Sequence, residues 1–207
     1  MPSDSSKTVL LIGGAPLSGK STLAKGLSEI LGTPWVSTDD IRKWMEPLVR
    51  KEDYPDLFYS DGLDAEAFYK KYKTAQKVFE LENRQGLDVQ KGITAMIESF
   101  WWWDAFIIEG IAITPSYARL FQNSHKNLAV RSVFLIDRNR DSIWQRLTQR
   151  GLWGAAGTYP DYIKPIELEW TILFNHYYEA ECAKHGFITH DITELEKLRA
   201  ELIRQHS

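Results

Sequence analysis

Short continuous apolar runs along this chain alternate with longer stretches whose apolar residues recur every three or four positions. Val9-Leu10-Leu11-Ile12 is the first run, partly β-branched and bounded by glycine, and it predicts a buried strand. Further short strands are predicted at residues 34–38, 105–108, 131–136 and 186–189. Helical spacing covers residues 21–31, 63–83, 89–100, 116–122, 141–150, 166–185 and 194–205. Strands and helices in this alternation predict an α/β fold. A parallel sheet would be covered on both faces, with the ligand site at the carboxyl ends of its strands.

The turn between the first strand and the first helix carries the strongest chemical signal. In "IGGAPLSGKSTLA", residues 12–24, glycines follow the apolar run and the segment closes on Gly-Lys-Ser-Thr. A glycine turn feeding a helix N-terminus aims unpaired N–H groups and the positive dipole end at one point, which suits an anion. The spacing Gly14-x-x-x-x-Gly19-Lys20-Ser21 fits a phosphate-binding loop. The loop then comprises Gly14, Ala15, Pro16, Leu17, Ser18, Gly19, Lys20, Ser21 and Thr22. Its N–H groups would wrap the phosphates of ATP, Lys20 would reach the outer ones, and the Ser21 hydroxyl would bind Mg²⁺.

Bulk properties narrow the class without naming a function. The 207 residues suit a single domain, residues 1–207, and carry a net charge of −3, so no broad basic field invites nucleic acid. One cysteine, Cys182, precludes an internal disulfide, and the five histidines lack metal-ligand spacing. Residues 1–7 are polar, with no signal peptide and no membrane span, so the expected location is the cytoplasm.

If the ligand lies at the strand ends, polar residues just after each strand matter most. These are Thr38-Asp39-Asp40-Ile41-Arg42, Glu109-Gly110, Asp137-Arg138 and His190-Asp191. A phosphoryl acceptor needs a base near the γ-phosphate, and Asp39 fits that need, with Arg42 one turn later as a cation. Either aspartate would also serve as an N-cap. Glu109 would emerge beside the phosphate loop if the first and third strands are neighbours, and there it would hold a Mg²⁺-bound water or orient the nucleophile.

The segments "GGAPLSGKSTLA", "STDDIR" and "IIEG" together resemble the P-loop kinases of the nucleoside and small-molecule branch. That branch includes polynucleotide 5′-hydroxyl kinases, zeta-toxin-like and chloramphenicol phosphotransferases, and 2-phosphoglycerate kinases. The resemblance implies a three-layer P-loop sandwich with a five-stranded parallel sheet in the order 2-3-1-4-5. By the polynucleotide kinase pattern, Asp39 is the general base and Arg42 contacts a substrate phosphate. "IIEGIAITP", residues 107–115, is similar instead to the 2-phosphoglycerate kinase group.

Such kinases also carry a lid of arginines after strand four. Arg146 and Arg150 lie four apart on one helix face, with Arg138 and Arg140 near its start, and the glycine-rich segment that follows reads as mobile. Residues 138–165 are thus the expected lid, and residues 44–104 an aromatic-rich helical insert that would shape the acceptor pocket. Three adjacent tryptophans, Trp101 to Trp103, cannot share one helix face, so at least one should reach a surface or cleft.

The leading expectation is an ATP- and Mg²⁺-dependent kinase acting on a hydroxyl of a small molecule, nucleoside or antibiotic. A polynucleotide 5′-hydroxyl kinase is the first alternative and a nucleotide-binding switch the second. Oligomeric state is not legible from the chain.

Overall fold

In the computed structural model, which describes residues 7–99, 103–155 and 157–205, strand β1 (Thr8–Gly14) lies at the centre of a parallel sheet. Strands β3 (Ala105–Glu109) and β4 (Ala129–Ile136) flank it, and β2 (Trp35–Ser37) and β5 (Thr189–Asp191) form the edges. The order is β2-β3-β1-β4-β5, as the resemblance implied. Leu10, Leu11 and Ile12 are all buried because a central strand covered on both faces has no solvent side to place a polar residue on.

Eight α-helices are described: α1 (Lys20–Leu31), α2 (Thr38–Met45), α3 (Ala65–Tyr72), α4 (Ala75–Ser99), α5 (Pro115–Ser124), α6 (Arg140–Arg150), α7 (Lys164–His185) and α8 (Leu195–Arg204). Leu23 and Leu27 of α1 and Leu198 and Leu202 of α8 cover one face of the sheet, over Leu10, Ile12, Ile107 and Leu135. Ile93 of α4, Phe121 of α5 and Phe174 and Tyr178 of α7 cover the other, over Leu11, Ile108, Phe134 and Ile136. No helix among the described residues is long and apolar enough to cross a membrane.

The insert departs from the pattern read along the chain. The expected break between residues 83 and 89 is absent, and α4 runs straight through Gly86 and Gly92. Both glycines serve close packing: a Cβ on Gly92 would come within 2.4 Å of Met45 Sδ on α2, and one on Gly86 would touch Ala112. The break falls earlier, at Lys73, whose φ of 60° ends α3, after which the Thr74 hydroxyl accepts from the Lys77 N–H to start α4.

Strand β5 also starts later than expected. Gly186 takes φ 70° and the Phe187 N–H donates to Cys182 O at 2.9 Å, so those two residues terminate α7 instead of opening the strand. His190 and Asp191 consequently lie within β5 and not after it. Of the tryptophan run, Trp101 and Trp102 lie outside the described residues, and Trp103 is partly exposed and stacks on Phe106.

Candidate active site

The loop after β1 is shaped by close backbone approach. Gly14 adopts φ 138°, and a Cβ there would sit 2.1 Å from the Leu135 carbonyl oxygen of β4, so only glycine fits. Leu17 holds φ 60° at the loop tip, an uncommon conformation for a residue with a side chain. Gly19, at φ 91°, leads into α1 with no side chain capping the helix. The first-turn N–H groups of α1 therefore face the loop without a side-chain acceptor, the condition that suits a bound phosphate.

Lys20 folds back over this loop, and its Nζ donates to Ala15 O at 2.7 Å. Burial pulls its ammonium down to a pKa of about 8, opposed by the charges of Glu109 and Asp39 and assisted by that of Arg150. A bound polyphosphate would supply the missing negative charge and restore the ammonium.

Parallel pairing sets Ile12 opposite Glu109 and so brings the end of β3 beside the loop. Ser21 Oγ donates to Glu109 Oε1 at 2.8 Å. Burial raises the Glu109 carboxyl, while Lys20 and the Ser21 hydroxyl draw it back down. Gly110 follows at φ 150°, and a Cβ there would lie 1.8 Å from Thr38 Oγ1, so this glycine lets α2 begin against the end of β3.

The two aspartates of α2 do different things, and neither is the N-cap. Ser37 caps the helix, its hydroxyl oxygen accepting from the Asp40 N–H at 3.1 Å. The Asp40 carboxylate accepts in turn from Ser37 Oγ at 2.9 Å and is thereby engaged. Asp39 instead lines the cavity above the phosphate loop, near enough to Lys20 and Glu109 to affect both charges. Arg42 also lines the cavity, paired with Glu46 at 2.7 Å.

The arginines after β4 divide as clearly. Arg146 binds the buried Asp137 and Ser142 Oγ, bracing the β4–α6 turn, and it does not reach the cavity wall. Arg138 pairs with Glu179 and Asp191, and Arg140 with Glu169. Arg150 is exposed, lines the cavity, and makes no ion pair among the described residues. Two residues of the segment beyond it are held by contacts: Trp153 packs on Phe68 at 4.6 Å between ring centres, and the Leu152 N–H donates to the Tyr159 hydroxyl.

The cavity, about 540 Å³, joins the phosphate loop to a chamber walled by the insert and the start of α7. Tyr59, Phe68, Tyr69, Glu82 and Gln85 come from the insert, Trp153 from the segment after α6, and Trp170 from α7. Glu82, Gln85 and Trp170 were not singled out by sequence reasoning. Their signal was available in part: Glu82 and Gln85 are polar residues one turn apart within the apolar stripe of Val78, Leu81 and Val89.

The donor set fits the groups that a phosphate-binding loop implies. Ser21 and Glu109 offer adjacent oxygen ligands of the kind that Mg²⁺ takes, with Asp39 nearby, and the uncapped first turn of α1 with Lys20 fits a polyphosphate. Among the described residues no cluster of three or more His, Cys, Asp or Glu side chains forms a separate metal site.

No protein-family model matches the chain. Uncharacterized proteins of Mycobacterium tuberculosis and Mycobacterium bovis are 54% identical over 33 residues, 16% of this chain and 7% of those much longer relatives. A gluconokinase from Sinorhizobium meliloti superposes with a TM-score of 0.51 at 13% identity, covering 97% of this chain and 98% of that one. The YorR protein of Bacillus subtilis, solved in complex with phosphorylated GDP, superposes with a TM-score of 0.50 at 15% identity, over 96% and 95% of the two chains. The likeness at these identities is one of fold: the chain has the α/β P-loop fold.

Proposed function

We propose that this protein is an ATP-dependent kinase that transfers the γ-phosphoryl group to a hydroxyl of a small molecule. One observation carries the reading: a single cavity holds the phosphate loop with Lys20, the Ser21–Glu109 pair, Asp39 and a separate walled chamber. A nucleotide switch has no use for a carboxylate and a second chamber placed beyond its phosphates. The fold shared with a gluconokinase supports the same class.

The loop N–H groups and Lys20 bind the β- and γ-phosphates and hold them in register with the chamber. Ser21 and Glu109 would hold Mg²⁺, which would supply charge neutralisation at the phosphoryl oxygens when bound. Asp39 orients the acceptor hydroxyl and takes its proton as the new O–P bond forms and the bond from the γ-phosphorus to the bridging oxygen breaks, releasing ADP. Arg150, which has no carboxylate partner among the described residues, serves as the lid arginine that meets charge on the transferring group, while Arg146 braces the turn behind it. Arg42 orients the acceptor side of the cavity.

The test is ADP release from ATP and Mg²⁺ across a panel of small hydroxyl acceptors, for wild type and Lys20→Ala. Acceptor-dependent ADP release that vanishes in Lys20→Ala is expected. ADP release that is the same with every acceptor and without one contradicts the proposal.

A further inference from the structure

Glu167, in the first turn of α7, is fully buried and stands behind the cavity wall without lining it. Its Oε1 accepts from the Tyr69 hydroxyl of α3 at 3.3 Å, and its Oε2 from the Tyr159 hydroxyl at 2.8 Å. The Tyr159 oxygen accepts in turn from the Leu152 N–H at 3.0 Å. Burial raises the Glu167 carboxyl, and the two hydroxyls, the Trp153 backbone and the Lys164 charge draw it back down. One carboxyl thereby joins α3, α7 and the segment that follows α6. A carboxyl this deep is costly to bury, and apolar packing at such a site is often as stable, so these bonds point to fixed position more than to stability.

What Glu167 holds does line the cavity: Tyr69 directly, Leu152 through Tyr159, and Trp153, which packs on Phe68 and Tyr69. Helix α6 ends at Arg150, where the Gly151 N–H donates to Leu147 O at 2.8 Å and Gly151 takes φ 78°. Beyond that glycine the next backbone N–H to be held is that of Leu152, on the Tyr159 hydroxyl. Arg150 has no carboxylate partner among the described residues, so its guanidinium goes where this stretch of backbone carries it. Displacing a charge-stabilising group by about 1 Å can cost a factor of about 10² in rate, so the tie two residues beyond Arg150 bears on the chemistry.

We infer that Glu167 is a positioning residue for phosphoryl transfer: through the Tyr159 hydroxyl and the Leu152 N–H it fixes the chain just past α6, and with it the places of Arg150 and Trp153 in the cavity wall. The inference rests on the kinase reading for its effect on turnover. The tie itself is a property of the backbone and is measured without any substrate.

The experiment is amide hydrogen exchange of the whole chain, read in peptides covering residues 150–155, for wild type, Tyr159→Phe, Glu167→Ala and Glu167→Gln. Melting temperature, ATP affinity and acceptor-dependent turnover are taken on the same preparations. Exchange at 150–155 should be at least about tenfold faster in Tyr159→Phe and Glu167→Ala, with the phosphate loop and ATP affinity unchanged. Glu167→Gln, whose amide oxygen still accepts from Tyr159, should recover most of the loss. In turnover, kcat should fall by about tenfold or more and the acceptor KM should rise, at an unchanged KM for ATP. A smaller folded fraction lowers kcat and moves no KM, so a fall in kcat alone assigns Glu167 to stability and overturns the inference. Wild-type exchange in both Tyr159→Phe and Glu167→Ala overturns it too; if Glu167→Ala fails to fold, Tyr159→Phe, which loses one oxygen, decides. A wild type that releases no ADP with any acceptor sinks the kinase reading, and the exchange rates then decide the tie by themselves.

Discussion

Ser21 and Glu109 meet across 88 positions of sequence through one 2.8 Å hydrogen bond, and the metal chemistry proposed here rests on that contact. On the proposed metal site, Ser21→Ala removes one of the two oxygen ligands, and it leaves Glu109 without its hydroxyl partner. The Mg²⁺ concentration needed for half-maximal turnover should rise by tenfold or more, read from a Mg²⁺ titration at saturating ATP. An unchanged titration removes Ser21 from that role. Glu82 offers a different measurement. Burial raises its carboxyl to about 7 from an ordinary 4.5; Asp39 adds to the rise, and the Tyr59 hydroxyl and Arg42 oppose it. A folded pKa above the unfolded one means that the folded state holds the extra proton, so this group's stabilising contribution is full below about pH 4.5 and is lost as pH rises through 7. Glu82→Gln abolishes that titration. The melting temperature of the variant relative to wild type should therefore climb between pH 5 and pH 8, and a constant difference across that range contradicts the assignment.

At the scale of elements, α3 and α4 show what the chain's pattern could and could not disclose. Periodicity found helix across most of residues 63–100 because the apolar stripe is continuous, but it put the break near Gly86. Glycine in a helix weakens it only slightly, and the close approach of α2 at Gly92 repays that cost, so the helix continues. The real break, at Lys73, carries no glycine to announce it. A lysine at φ 60° stores about 1 kcal/mol of strain, so Lys73→Gly should raise the melting temperature by a few degrees. A lowered melting temperature means that the Lys73 side chain contributes more than its backbone costs. The strand, loop and helix of residues 12–24 were legible because they are local in sequence, although the strand runs on to Gly14 and the helix starts at Lys20, past the bounds of Ile12 and Ser21 read from the pattern. The chamber was not, since Tyr59, Glu82, Trp153 and Trp170 converge only through tertiary packing.

Across the whole molecule, the βα alternation disclosed a parallel sheet, its strand order came only from the P-loop kinase resemblance, and parallel pairing then set Glu109 beside Ser21. That Asp39 and Arg150 line the cavity while Asp40 and Arg146 do not was legible only in the coordinates, because each pair shares a helix and a charge and differs only in where its members point. The molecule's net charge of −3 also carries a prediction. Single-stranded oligonucleotides should bind weakly and fall away steeply with salt, measured by fluorescence anisotropy at low and physiological ionic strength. Tight binding at physiological salt would favour a polynucleotide acceptor over a small one.

The central claim is that this cavity moves a phosphoryl group to an acceptor hydroxyl whose proton goes to Asp39. Asp39→Asn keeps the shape of the side chain, and Ser37, not Asp39, caps the helix, so folding should be unaffected. ATP is held by the loop around Lys20 and should bind as before. The decisive measurement is acceptor-dependent phosphoryl transfer by Asp39→Asn beside Asp40→Asn, with ATP affinity and melting temperature taken on the same preparations. The account predicts a loss of about 10² to 10⁴ in rate for Asp39→Asn alone, at unchanged ATP affinity. Transfer at the wild-type rate by Asp39→Asn would contradict it.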